Sequence, residues 1–426
     1  MRYISTRDHK VNVSLSEALQ QGLAADGGLY VPEFFPKMLW DDFDPQVSFQ
    51  DFAKTLLSPF FDEDSLLENL PDIIKESLNF PVLVDQLDAQ HFVLELFHGP
   101  TLSFKDFGAR FLASCLSRIS SDKPYTILVA TSGDTGSAVA SAFHNKPNIK
   151  VVVLFPEGKI SKRQEQQITC WGDNVLAVAV DGSFDDCQRL VKTAFGLDWW
   201  HQRAHLNTSN SINIGRLLPQ MTYYAFSAWR YYLMSRHNAN FIVPSGNLGN
   251  VCAAFWAREI GFPIDEVSLS QNENNAVGHY LADGEYHPAP SIGTLANAMD
   301  VGAPSNLERL MYLFGDFEHF AANVSVTKVS DDDIRQTIAE VYENHHEIIC
   351  PHTATAFFAM SQKPEKPRIL VATAHPSKFE GVIEPILGRE ILPPPKLKAL
   401  LGRPQHKVDI SADMASLMQA YEDYFK

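Results

Sequence analysis

The chain has 426 residues, 45% of them apolar, with 25 Pro and 23 Gly, the make-up of a globular protein large enough for two or three domains. Its 35 basic and 51 acidic residues give a net charge of −16, which argues against a general nucleic-acid binder, because phosphate contacts need a basic surface. A local basic pocket for a small anion stays open.

Five cysteines (Cys115, Cys170, Cys187, Cys252, Cys350) are widely spaced without a CxxC pair, the pattern of small buried residues in a reducing compartment. No apolar run approaches the length of a membrane span. The opening residues MRYISTRDHKVNVSLSEAL lack the hydrophobic core of a signal peptide. The expected location is the cytoplasm, with neither membrane nor nucleic acid as partner.

Residues 1–80 read as mostly helical. A short amphipathic helix is expected over Leu15–Leu23, ended by the turn Asp26-Gly27-Gly28. Further helical periodicity covers Phe49–Leu57 and Asp64–Leu78. From about residue 91 the pattern becomes β-α alternation, the signature of a parallel sheet covered by helices. Phe92–Phe97 has strand composition. After it comes HGPTLSFKDFGARF (98–111), with Pro100 and Ser103 as helix-start signals and apolar spacing to about Arg118.

Lys105 therefore falls in a first helical turn, where the helix dipole repels an ammonium. Two flanking phenylalanines add desolvation, and both effects lower a lysine pKa. An easily neutralised lysine suits Schiff-base chemistry, although a snorkelling surface lysine also fits this segment.

Strands follow at Tyr125–Ala130, Lys150–Phe155, Asn174–Val180, Asn240–Val243 and Ile369–Ala372, with helices at Ala138–His144, Phe184–Phe195 and Val251–Ile260. Residues 391–405, with three consecutive prolines, read as an extended linker to a short C-terminal helix.

Several strands end in loops rich in Gly, Ser, Thr or Asn, where open α/β sheets collect ligands. Ser245-Gly246-Asn247-Leu248-Gly249-Asn250 suits a phosphate cradle of backbone amides. It is neither a P-loop nor a dinucleotide fingerprint, and a plain tight turn fits it as well. Thr131-Ser132-Gly133-Asp134-Thr135-Gly136 offers amides and hydroxyls to a carboxylate, or simply an N-cap; Asp134 in it suits a facing cation or donor hydroxyl. Asn207–Arg216 packs amides, hydroxyls and one guanidinium, a set that matches phosphate oxygens or caps the following helix. Thr373 at a strand end could bond a ligand ring or serve as a cap. Histidines at 345, 346 and 352 lack ligand-spaced partners, so no metal is expected. No GxSxG elbow is present.

Taken together, ELFHGPTLSFKDFGARF (95–111), ATSGDTGSA (130–138), NSINIGRL (210–217), VPSGNLGN (243–250), LANAMDVGAPSN (295–306) and TAHPSKFE (373–380) resemble the threonine synthases. These are pyridoxal 5'-phosphate enzymes of the tryptophan-synthase-like fold (fold type II). The resemblance implies an α/β architecture: two open sheet domains plus a mainly helical N-terminal domain. The implied limits are 1–85 for the N-terminal domain, 86–105 with 208–426 for the large cofactor domain, and 106–207 for the small domain.

It also implies Lys105 as the Schiff-base lysine, Gly246, Asn247, Leu248, Gly249 and Asn250 around the cofactor phosphate, and Thr373 at the pyridine nitrogen. Thr131, Ser132 and Thr135 would receive the substrate carboxylate, with Asp134 near the ring hydroxyl, where many relatives of this fold carry Asn. Asn210, Ser211 and Arg216 would receive the substrate phosphate, helped by Lys159. The implied reaction takes O-phospho-L-homoserine and water to L-threonine and phosphate. Alternatives are a dehydratase or phospholyase of the same fold, or a non-catalytic metabolite-binding relative.

Overall fold

The computed structural model describes residues 1–363 and 365–426. In chain order its strands are β1 (Tyr3–Ser5), β2 (Asn12–Val13), β3 (Tyr30–Pro32), β4 (Leu83–Gln86), β5 (His91–Glu95), β6 (Tyr125–Ala130), β7 (Ile149–Pro156), β8 (Val175–Asp181), β9 (His205–Asn207), β10 (Ala239–Pro244), β11 (Ile264–Gln271), β12 (Ser325–Lys328), β13 (Arg368–Ala372) and β14 (Lys407–Ser411). Two sheets organise the molecule. A six-stranded sheet has the order β12-β11-β10-β13-β5-β4, and a five-stranded sheet the order β14-β8-β7-β6-β9. Pairing is parallel throughout, except for β4 against β5 at one edge. The apolar runs of β7 and β8 are buried almost end to end, as expected for strands covered by helices on both faces.

The helix Ile214–Ser235 is buried along most of its length and packs against the helices Lys105–Leu116 and Gly249–Glu259. Ser183 starts the helix Phe184–Phe195 with a capping box to Asp186, and Ser161 does the same for Lys162–Thr169 through Gln164. All five cysteines are buried as free thiols. Among the described residues no helix is long and apolar enough to cross a membrane.

The N-terminal region is mainly helical as expected, with helices at Leu15–Gln21, Phe49–Leu57 and Leu70–Ser77, and it also carries a small antiparallel sheet of order β2-β1-β3. Strands of two or three residues are too short to show alternation. The boundary at 85 cuts β4, which begins at Leu83 and belongs to the six-stranded sheet.

Residues 391–405 are not a plain linker, because Pro395 opens a helix to Leu401, where a missing N–H costs nothing. The chain then leaves the large domain: β14 pairs in parallel with β8 of the small sheet. The following helix, Met414–Tyr424, seats Tyr421 edge-on against Trp200, with its hydroxyl 3.0 Å from Thr126 Oγ1. Residues 407–424 thus complete the small domain.

Candidate active site

The segment between β5 and the helix Lys105–Leu116 is zipped to the segment after β13. Phe104 N donates to Thr373 O (2.9 Å), His375 N donates to Leu102 O (3.0 Å), and Ser103 bridges Ala374. Two stretches far apart in sequence therefore present Lys105 and Thr373 at the same end of the sheet. Ser103 is not the helix cap expected from its position. Phe104 occupies that position without a side-chain bond, while Asp106 turns back to accept from Thr101 N (2.8 Å) and Thr101 Oγ1 (2.7 Å). Leu102 holds φ 61°, a left-handed conformation a side chain adopts only under constraint.

Lys105 is the first residue of its helix, with Nζ 5.0 Å from the centre of the Phe104 ring. Phe107 instead faces the core, against Phe80 and Tyr223. Burial lowers the Lys105 pKa to about 8; Asp134 opposes the shift, and the cations of Lys378 and Arg216 reinforce it.

Lys105 opens on a cavity of about 950 Å³, lined from both sheet domains and by Leu23, Ala24 and Ala25 of the N-terminal region. On one wall Gly246 approaches so closely that a Cβ there would lie 2.5 Å from Met299 Cα. Leu248 takes φ 60°, and Gly249 starts the helix to Glu259, so free amides face the cavity. Asn250 Oδ1 accepts from both Tyr223 and Tyr224 hydroxyls (2.7 and 2.9 Å), which leaves its buried Nδ2 without a partner. Asn247 donates to Ser211 Oγ (2.7 Å), tying this cradle to the 207–216 segment. Gly246→Ala is expected to weaken cofactor affinity roughly tenfold or more, because overpacking against fixed backbone costs about 1–3 kcal/mol. Titration of cofactor-stripped protein, followed by visible absorbance, measures this; unchanged affinity would contradict the cradle.

In the 131–136 loop, Thr131 Oγ1 accepts from Gly133 N (2.9 Å) and Gly136 N (2.8 Å), so it shapes the loop. Ser132 and Thr135 line the cavity at the start of the helix Asp134–Phe143. Asp134 is buried facing two cations: Oδ1 is 2.8 Å from Lys378 Nζ, and Oδ2 is 3.9 Å from Lys105 Nζ. Burial opposes its ionisation, but the two lysines outweigh that and hold its carboxyl well below the usual carboxylate range.

Asn210, Ser211 and Arg216 line the same cavity. Arg216 is buried, and Nη1 donates to Ser209 O, while Nε has no partner. Among the described residues no carboxylate pairs with it; Asp106, which acts on it through the interior, is already bonded to Thr101. Burial lowers its pKa only to about 10, so it stays cationic near neutrality. Lys159 is not part of this group: it is exposed in the turn after β7 and lines no part of the cavity.

Three participants carried no local signal. Lys378 is fully buried. His352 lines the cavity with Nε2 accepting from Ala298 N (3.1 Å), and burial drives its pKa down to about 4, so it is neutral. Arg309, also fully buried, donates to the carbonyls of Tyr30, Ser211 and Ile212 and to Asn306 Oδ1. It thereby fixes the backbone that carries Ser211. Each lies in a stretch whose role only tertiary packing reveals.

A lysine that neutralises easily, an amide cradle with an orphaned donor and a separate buried guanidinium fit a phosphorylated aldehyde cofactor bound by that lysine. The fold and site define a pyridoxal-phosphate-dependent enzyme of the tryptophan-synthase-like class, and a family model described as pyridoxal-phosphate dependent enzyme matches residues 78–372. Models for the threonine synthase N terminus and C-terminal region match residues 2–78 and 350–421. The threonine synthase of Escherichia coli is 38% identical over 421 residues, 98% of each chain. Its crystal structure superposes with a TM-score of 0.92, covering 99% of this chain and all of that one. The pyridoxal-phosphate-bound threonine synthase of Brucella melitensis, 30% identical, also gives 0.92, with both chains fully covered. The chain belongs to the threonine synthase family.

Proposed function

We propose that the chain converts O-phospho-L-homoserine and water to L-threonine and phosphate. The observation that carries this reading is Arg216, a buried guanidinium with no paired carboxylate, on the same cavity wall as Asn210 and Ser211. A buried cation left without a counter-ion is costly unless a ligand supplies the anion. The cofactor phosphate has its own cradle at Gly246–Asn250, so a second anion site implies a phosphorylated substrate.

Pyridoxal phosphate, when bound, supplies an electron sink for charge developing on the substrate carbons. Lys105 would hold the cofactor and, once displaced by the substrate amine, would take protons from the α and β carbons and return them to the γ carbon after phosphate has left and to the α carbon after water has added. Thr373 would face the ring nitrogen through a neutral hydroxyl, which does not enforce ring protonation and so favours elimination and replacement over transamination. Ser132, Thr135 and the amides at the start of their helix would hold the substrate carboxylate, with Thr131 shaping that loop. Arg216, Asn210 and Ser211 would bind the phosphate and stabilise it as it leaves the γ carbon. Water then adds its oxygen at the β carbon, and the phosphate retained by Arg216 would accept the water's proton.

The deciding experiment is incubation with O-phospho-L-homoserine, with threonine and phosphate scored separately. Equal amounts of both are expected. Phosphate accompanied only by a keto acid and ammonia would reassign the chain as a phospholyase. With no visible absorbance from added cofactor and no turnover, it would be a non-catalytic relative.

A further inference from the structure

Lys378 is a fully buried lysine for which the steps above have no use. It ends the short turn Pro376–Lys378 after β13, and its Nζ donates to Thr101 O (2.8 Å) and to Asp134 Oδ1 (2.8 Å). Gln164 Nε2 also donates to that oxygen (3.0 Å). Gly133 makes room for it: at φ 130°, a Cβ there would sit 2.5 Å from the Gln164 amide. The other oxygen of Asp134 stands 3.9 Å from Lys105 Nζ, outside hydrogen-bond range. One carboxylate is thus shared unequally between two lysines.

We propose that Lys378 is a positioning residue for Lys105: by binding Asp134, it keeps that carboxylate from locking the Lys105 amine as an ammonium. The inference rests on Lys105 as the lysine that carries the cofactor. The groups acting on Lys105 come from several elements. Asp134 favours its protonated form, Lys378 and Arg216 oppose it, Cys350 is a buried neutral thiol, and His352 is uncharged. Two fixed cations therefore outnumber one carboxylate, and burial acts in the same direction as the cations.

Without Lys378, Asp134 would retain Gln164 and Lys105 as partners. A buried carboxylate in that position gains most by closing on the remaining cation. Lys105 would then keep its proton to higher pH, and only the neutral amine condenses with an aldehyde, releasing water. An amide at 134 needs no counter-charge, so Asp134→Asn should cancel the effect of losing Lys378.

The test uses the full chain stripped of cofactor and recombined with pyridoxal phosphate across pH, following the growth of visible absorbance. In the wild type the rate should rise with pH through a midpoint near the Lys105 pKa of about 8. In Lys378→Met the midpoint should move up by about one unit, making recombination at neutral pH roughly tenfold slower. In the double variant Asp134→Asn/Lys378→Met the midpoint should return to within about 0.3 pH unit of the wild type, whatever the change in absolute rate from altering a residue beside the cofactor ring, the coupling expected of residues in contact.

A folded Lys378→Met protein with the wild-type midpoint would overturn the proposal, as would an equal slowing at every pH, which a purely structural role predicts. Should Lys378→Met prove insoluble, the double variant decides: a wild-type midpoint supports the proposal, and a displaced midpoint or insolubility overturns it. Lys105→Ala, run alongside, should give no such absorbance. If it does, the assignment of Lys105 has failed rather than the role of Lys378.

Discussion

Lys105→Ala is expected to fold, to develop no lysine-bound cofactor absorbance and to lose threonine formation by about 10³-fold or more, in the range for removal of a residue that both carries the cofactor and transfers protons. Folding should survive because the native lysine is costly where it stands. It begins a helix, where the dipole opposes its charge, and it is desolvated at the cavity wall. Alanine removes both penalties and is a strong helix former, so stability should be unchanged or higher by up to about 1 kcal/mol. Asp134 is not orphaned by the change, since Lys378 and Gln164 still bind it. Thermal unfolding, visible spectra and a threonine assay on one preparation check all three statements. Turnover within tenfold of the wild type would remove Lys105 from the chemistry.

The cavity's lining was legible where function sits in short loops after strong strands. The glycines of 245–250 and 131–136 mark close backbone approach, and apolar runs such as β7 announce buried parallel strands. The left-handed φ of Leu248 had no signal, because leucine is not a residue that advertises it. Lys159 and Lys378 show the limit from both sides. Each is a lysine a few residues past a strand, and only tertiary placement separates them: Lys378 is buried against Thr101 and Asp134, while Lys159 stands in solvent. The segment 407–411 was missed for a related reason. Five residues, two of them β-branched, make a weak local pattern, and their partner β8 lies more than two hundred residues earlier. What pairs over such separations is set by the shape of the rest of the sheet.

Arg216 gives the second large effect and a test that separates function from stability. Its guanidinium is packed against Gly108, where a Cβ would come within 2.7 Å of Nε, so the helix Lys105–Leu116 has been cut back to admit it. The protein without ligand therefore holds a buried cation whose Nε has no partner. Replacing it with Met, of similar length and uncharged, should leave the unliganded protein as stable or more so, since exchanging buried charge for well-packed apolar groups is often favourable by about 1–4 kcal/mol.

The catalytic cost should run the other way. Removing one side of a buried, hydrogen-bonded charge pair with the substrate phosphate costs about 2–5 kcal/mol, or roughly 30- to 5,000-fold in kcat/KM. Arg216→Lys keeps the charge but loses the planar fork, so it should fall between the two. Because burial lowers the Arg216 pKa only to about 10, the guanidinium stays charged below about pH 9, and once the substrate phosphate is a dianion, above about pH 7, this binding contribution should not change up to about pH 9. Inorganic phosphate offers a readout independent of turnover. In cofactor-saturated protein it should raise the unfolding temperature of the wild type, by ligand linkage, and leave Arg216→Met unmoved. An equal phosphate shift in both proteins would place the anion elsewhere in the cavity and withdraw the phosphate-receiving role from Arg216.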